Sequence, residues 1–145
     1  MHEGLFGRVA DIMDRSHVSG EADISEPECH ELLARADSGR LGVVAAGRPE
    51  IFALRYCLDI SGAVIFQTDP GTELAGALGD RVVFEVDHLG GSTAGWSVVV
   101  HGIVQQTALA SLRFGPQDRP AWMSATSITA RITATRVTGR TLAAR

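Results

Sequence analysis

Lysine is absent. All 13 basic residues are arginine. That excludes a phosphate loop of the GxxxxGK[ST] type, a Schiff base to pyridoxal phosphate and any lysine nucleophile. Arginine replaces lysine as a phosphate ligand, but not as an amine that forms imines. Cysteine is scarce. Cys29 and Cys57 stand far apart, match no zinc spacing and lie in apolar surroundings, which reads as two buried free thiols and no disulfide. No apolar run approaches the ~20 residues of a membrane span. The start, Met1-His2-Glu3-Gly4, lacks the basic region of a secretory signal, so a cytoplasmic protein is expected. The 17 acidic residues outnumber the bases and leave a net charge of −4. There is no overall basic footprint for nucleic acid or an anionic membrane.

Several catalytic signatures are missing too. The five histidines form no HExxH and no i, i+4 pair, and Cys29-His30 are helix neighbours that point in different directions, so no metal site is expected. Gly95-Trp96-Ser97-Val98-Val99 lacks the second glycine of a nucleophile elbow. The run Gly90-Gly91-Ser92-Thr93-Ala94-Gly95 fails GxGxxG and precedes a strand rather than a helix. Asp87-His88 reads as a solvated strand end, and His101, among valines, as a core or interface histidine.

What is present is one domain's worth of chain, 145 residues with 45% hydrophobic side chains. Leu5, Phe6, Val9, Ile12 and Met13 predict a helix over 4–15. With the polar stretch that follows, it forms an N-terminal helix and linker over 1–22, leaving 23–145 as the main domain. Ser25-Glu26-Pro27-Glu28 has capping-box spacing and opens a second helix to about Ala36. From Gly39 the pattern turns extended. Strands are expected over Leu41–Ala46, Ile51–Leu58, Ala63–Thr68, Arg81–Val86, Trp96–Thr107 and from Ile128 onward, where Val137 breaks the alternation and predicts a bulge near Arg136. One short helix interrupts them, with Asp69 as N-cap and Pro70 as first residue, running from about Gly71 to Leu78. The expected fold is mostly β, a six-stranded antiparallel split barrel with short flanking helices.

Phe66-Gln67-Thr68-Asp69-Pro70-Gly71-Thr72-Glu73-Leu74 carries anion-binding chemistry: a strand ends, and free backbone N–H groups flanked by two hydroxyls begin a helix. An ordinary capped helix accounts for the same residues, and the spacing alone does not separate the two.

That segment and its flanks resemble the pyridoxamine 5′-phosphate oxidase-like family of flavin-binding split barrels, from about Ser25 to Leu142. The resemblance is carried by Cys29-His30-Glu31-Leu32-Leu33, Gly39-Arg40-Leu41-Gly42-Val43, the Phe66–Leu74 stretch and Val83-Phe84-Glu85-Val86-Asp87. Gly95-Trp96-Ser97-Val98-Val99-Val100-His101-Gly102 and Arg136-Val137-Thr138-Gly139-Arg140 complete it. It implies a homodimer with FMN in two clefts between subunits, acting as an oxidoreductase on a small molecule. Related branches bind deazaflavin or haem.

By the same resemblance Gln67, Thr68, Gly71, Thr72 and Glu73 would hold the flavin phosphate. Arg55 and Tyr56 would line the ring, Trp96 and Ser97 would close the cleft, and Trp122 would come from the partner. Thr68 and Thr72 match the family's pattern. Gln67 stands where arginine is usual and Glu73 where lysine is usual, which lowers the local charge by one and by two. A lost charge-assisted bond is worth about 1.5–3 kcal/mol. FMN would be bound weakly unless Arg55 compensates. A barrel without flavin, serving as a binding or interaction module, and a deazaflavin-dependent reductase are the alternatives. No residue qualifies as a catalytic acid or base. Pyridoxamine phosphate oxidase activity itself is not expected, because the chain is short and lacks basic residues for a second phosphate.

Overall fold

The computed structural model describes residues 22–91, 94–115 and 119–143. The helix expected over 4–15 lies outside them. Ten elements follow in order: β1 (Ala22–Ile24), α1 (Glu26–Arg35), β2 (Ser38–Ala45), β3 (Arg48–Arg55), β4 (Cys57–Leu58), β5 (Val64–Thr68), α2 (Glu73–Gly76), β6 (Arg81–His88), β7 (Gly95–Thr107) and β8 (Ile128–Leu142), with a 3-10 turn at Leu109–Ser111 before β8.

Alternation writes the sheet. On β6, Val82, Phe84 and Val86 are buried while Arg81 and Val83 are exposed. On β7, Trp96, Val98, Val100, Gly102 and Val104 face inward. All pairings are antiparallel, in the order β3-β2-β6-β7-β8-β5-β4, with β1 added to β8. Only Tyr56 separates β3 from β4, so the strand at one end of the sheet continues as the strand at the other end and curls the sheet into a barrel. This explains why the strands number eight rather than the six expected. One extended run is broken at Tyr56, whose backbone N–H donates to the Asp37 carbonyl instead of a neighbouring strand. The other extra strand, β1, occupies the end of the stretch read as linker.

The long β7 and β8 hold the barrel together. His101 faces Arg136 and Gly102 faces Ala134, so Thr135 is the extra residue of a bulge, one position from the Arg136 expected. Its hydroxyl donates to the His101 carbonyl at 3.2 Å. A bulge bends a strand, and here it lets β8 serve two neighbours: its first half pairs with β5 and its last residues with β1. Gly102 is required at this crossing, since a Cβ there would sit 2.4 Å from the Thr133 carbonyl oxygen.

Helix α1 packs against the barrel with Cys29, Leu32 and Leu33 buried. Its N-cap is the expected Ser25, whose side chain accepts from the Glu28 N–H; two acids in the first turn and Arg35 in the last suit the helix dipole. Helix α2 departs from expectation. It is a single turn capped by Thr72, not a longer helix capped by Asp69, because Gly71 takes φ +82° and breaks the helical path after Pro70.

Candidate functional site

The barrel is split along one seam. Strands β4 and β5 pair only through Cys57–Ile65 and Leu58–Val64. Continued, that ladder would set Arg55 opposite Gln67, but β3 pairs with β2 alone, so the two strands part beyond Tyr56. The outer edge of β3 meets no described strand. The backbone N–H and C=O groups along Arg48–Arg55 that do not pair with β2 are therefore left without a ladder partner among the described strands, Pro49 contributing a carbonyl only.

In the turn from β5 into α2, Thr68 Oγ1 and Thr72 Oγ1 lie 2.8 Å apart. Thr72 donates to the Asp69 carbonyl at 2.9 Å and accepts from the Ala75 N–H at 3.0 Å. With its proton committed, Thr72 is the acceptor of the Thr68 hydroxyl. Both hydroxyl protons are thus used within the turn, and the Thr68 oxygen is left with acceptor lone pairs. Gln67 is equally committed. Its amide nitrogen donates to the Ser124 carbonyl and to Thr129 Oγ1, each at 2.9 Å, and its oxygen accepts from the Ser124 N–H at 2.8 Å. Gly71 is exposed at its positive φ. Glu73 lines a groove of about 480 Å³ with Arg48, Glu50 and Asp80, which sets it against the start of β3.

The other expected site residues divide. Arg55 is exposed on the outward side of β3. Tyr56 is buried in the core: its hydroxyl donates to the Leu33 carbonyl and its ring meets Phe84 edge-on, centroids 5.0 Å apart. Desolvation, with the Asp37 charge second, pushes the Tyr56 phenol well up from its ordinary value. Trp96 is buried as well, opposite His88 and Thr141, and Ser97 donates to Glu85 Oε2 at 3.2 Å. Gln67 sits opposite Thr129, and Thr129 faces Thr107, so Trp96 lies eleven residues back along β7. At about 3.3 Å per residue that is roughly 36 Å. One chain does not bring Trp96 or Ser97 to the Thr68–Thr72 turn. Trp122 packs with Ile65, Leu112 and Met123, two residues before the Ser124 that Gln67 holds.

The sequence reading missed one cluster. On the outward face of β6, Glu85 and Asp87 stand two residues apart. Arg40 of β2 reaches both, 3.7 Å from Glu85 and 3.3 Å from Asp87, and Ser97 of β7 donates to Glu85. Desolvation first, then the hydrogen bond and charge of Asp87, raise the Glu85 carboxyl to about 7 against the opposing pull of Ser97 and Arg40. Strand alternation put Glu85 and Asp87 on one face, but nothing in the sequence brought Arg40 from β2 beside them. Among the described residues no group of three or more His, Cys, Asp or Glu could hold a metal ion.

This architecture, an antiparallel barrel opened along one seam with a polar turn at the seam's head, defines a split-barrel protein. The chain belongs to the pyridoxamine 5′-phosphate oxidase family, whose model matches residues 25–141. It is similar to the FAD-binding protein of Mycobacterium smegmatis, at 27% identity over 85% of this chain and 99% of that one, with a TM-score of 0.66. An FAD-binding protein of Mesorhizobium loti is 22% identical over 85% and 99% of the two chains, TM-score 0.64. An FAD- and haem-binding protein of M. smegmatis is 17% identical over 82% and 71%, TM-score 0.61. The last two likenesses concern the fold alone. No curated protein matches the chain.

The residues fit a flavin unevenly. The unpaired edge of β3 offers backbone donors and acceptors of the kind a flavin ring requires. At the turn that the resemblance assigns to a phosphate, the hydroxyl protons and the Gln67 amide are engaged, which leaves backbone N–H groups as the donors there, and α2 is one turn long with little dipole to offer.

Proposed function

We propose that this protein binds a flavin in the cleft between β3 and β5 and works as a homodimeric oxidoreductase on a small molecule. The observation that carries the reading is the free edge of β3, which pairs with β2 alone. Membership of the family and the likeness to an FAD-binding relative support it. A bound flavin supplies hydride transfer, and the protein supplies binding and orientation. In this chain the β3 backbone would hold the ring's polar edge, Phe52 and Leu54 would back it from the core side, and the strut from Gln67 to Ser124 would fix the Trp122 segment beside the cleft. Two free thiols, Cys29 buried and Cys57 half-buried, suit the reducing cytoplasm we assign it to.

The dimer is supported by the outward face of the sheet. Val44, Ile51 and Val83 are 63%, 72% and 38% exposed and line, with His101 and Ile103, an apolar groove of about 630 Å³. A second copy laid on this face would also wall the cleft. Fluorescence titration of purified protein with riboflavin tests the reading: saturable quenching at one flavin per subunit is expected, and its absence overturns it. The engaged donors at the turn favour a second reading, a barrel without flavin that serves as a binding module. A deazaflavin reductase is distinguished by the same titration run with deazaflavin.

A further inference from the structure

We infer that Gly42 is a socket of the dimer interface: it receives the side chain of Ile51 of the partner subunit, while Ile51 enters the partner's Gly42. The inference rests on the homodimer reading above and specifies how the two outward faces interlock.

Three observations lead to it. The first is a missing side chain that the chain itself does not need to be missing. At the strand positions Gly39, Gly95, Gly102 and Gly139, a Cβ would meet another atom at 2.5, 2.2, 2.4 and 2.6 Å. Gly42, in the middle of β2, is different. Its φ is not positive, and the nearest atom to a Cβ there is the Val83 carbonyl oxygen at 3.7 Å, an ordinary contact. Glycine inside a strand weakens it and marks a place where something else approaches closely.

The second observation is where the hollow lies. Leu41 and Val43 are buried, so alternation turns Gly42 and Val44 outward. Gly42 pairs with Ile51 on one side and Val83 on the other, which puts a position without a side chain between two exposed apolar ones. It lines the apolar groove of the outward face. Ile51, at 72%, is the most exposed large apolar side chain among the described residues.

The third is symmetry. Knob and hollow are a cross-strand pair, with Cα atoms about 5 Å apart. A two-fold axis running along the strands, midway between β2 and β3, exchanges the two positions. It sets the partner's Ile51 over Gly42 and the partner's Gly42 over Ile51 in one operation, as a two-fold interface requires. The charged residues of the groove, Arg81 and Arg136 against Glu50, carry both signs. A copy of the chain answers both; a nucleic acid or an anionic membrane answers only one.

The test fills the hollow and then moves it. The dimer constant and riboflavin binding of the full-length protein are measured by sedimentation equilibrium and fluorescence titration, with folding checked by circular dichroism. Gly42→Val should fold and weaken the dimer about hundredfold or more, because the overlap occurs twice across the axis. Gly42→Ala should weaken it about tenfold, and decides the matter if valine disturbs the fold. Ile51→Gly should weaken it about tenfold or more through loss of the knob. Gly42→Val with Ile51→Gly exchanges knob and hollow, and should dimerise about tenfold or more tightly than Gly42→Val alone. A filled hollow with the parent's dimer constant overturns the inference and leaves the homodimer reading standing. If that variant loses riboflavin instead, the hollow belongs to the flavin. A double variant no tighter than Gly42→Val overturns the pairing with Ile51. A parent that sediments as a monomer overturns the homodimer reading, and this inference with it.

Discussion

Single side chains in this barrel do work that their type alone does not announce, and Gln67 is the plainest case. It spends three hydrogen bonds on Ser124 and Thr129, and Thr129 is itself buried. Gln67→Ala removes both partners of the Ser124 backbone contact and strands a half-buried N–H. A loss of about 1–3 kcal/mol is expected in urea unfolding, with faster proteolysis between Leu112 and Ser127 because the segment's anchor is gone. Unchanged stability and proteolysis would show that the strut holds nothing. Glu85 gives a pH signature. Its folded pKa of about 7 stands above the ordinary glutamate value of 4.5, so between those values the folded state binds the extra proton. That contribution is complete below about 4.5 and is lost as the pH rises through 7. The urea midpoint is therefore expected to fall between pH 5.5 and 8, and Glu85→Gln should flatten the decline. A parent midpoint that rises over this window contradicts the assignment.

At the scale of elements, legibility follows how local the cause is. The α1 cap, the extents of β6 and β7 and the β8 bulge were readable because each is decided within a few residues of chain. Strand β1 was not: three residues become a strand only because the last residues of β8 offer them an edge. Thr68 and Thr72 were readable as neighbours from their spacing. The burial of Tyr56 and Trp96 was not readable, because a family pattern identifies positions without saying which face of a strand turns inward. The engagement of Gln67 depends on Ser124, 57 residues away, and no local pattern encodes it. Two backbone positions test the element account. Ala46, at φ 52°, leads Gly47 at φ 77° in the turn from β2 to β3, a conformation that favours Asn-Gly. Ala46→Asn should raise stability by about 0.5–1 kcal/mol, seen as a higher urea midpoint. Gly102→Ala should do the opposite, by about 3 kcal/mol or more, because its methyl would overlap the Thr133 carbonyl oxygen where β7 crosses the bulge.

For the whole molecule, the decisive question is what covers the outward face of the sheet. In a monomer, Val44 and Ile51 are solvated, and replacing either with a charge changes stability by no more than about 0.5 kcal/mol. In a homodimer the same residues sit in a desolvated patch that meets its own copy, as a two-fold interface requires. The double change Val44→Asp with Ile51→Asp then places four carboxylates together across the axis. The two cases separate by measurement. The parent is expected to sediment at about twice 15.4 kDa and to melt at a temperature that rises with protein concentration. The double variant should sediment as a single chain, melt lower, and lose the concentration dependence. Because Ile51 lies on the β3 edge that walls the cleft, riboflavin binding should weaken with the dimer, although neither substitution touches the Thr68–Thr72 turn. A parent that sediments as a monomer and still binds riboflavin stoichiometrically would show that one barrel's seam suffices, and that the apolar face serves another partner.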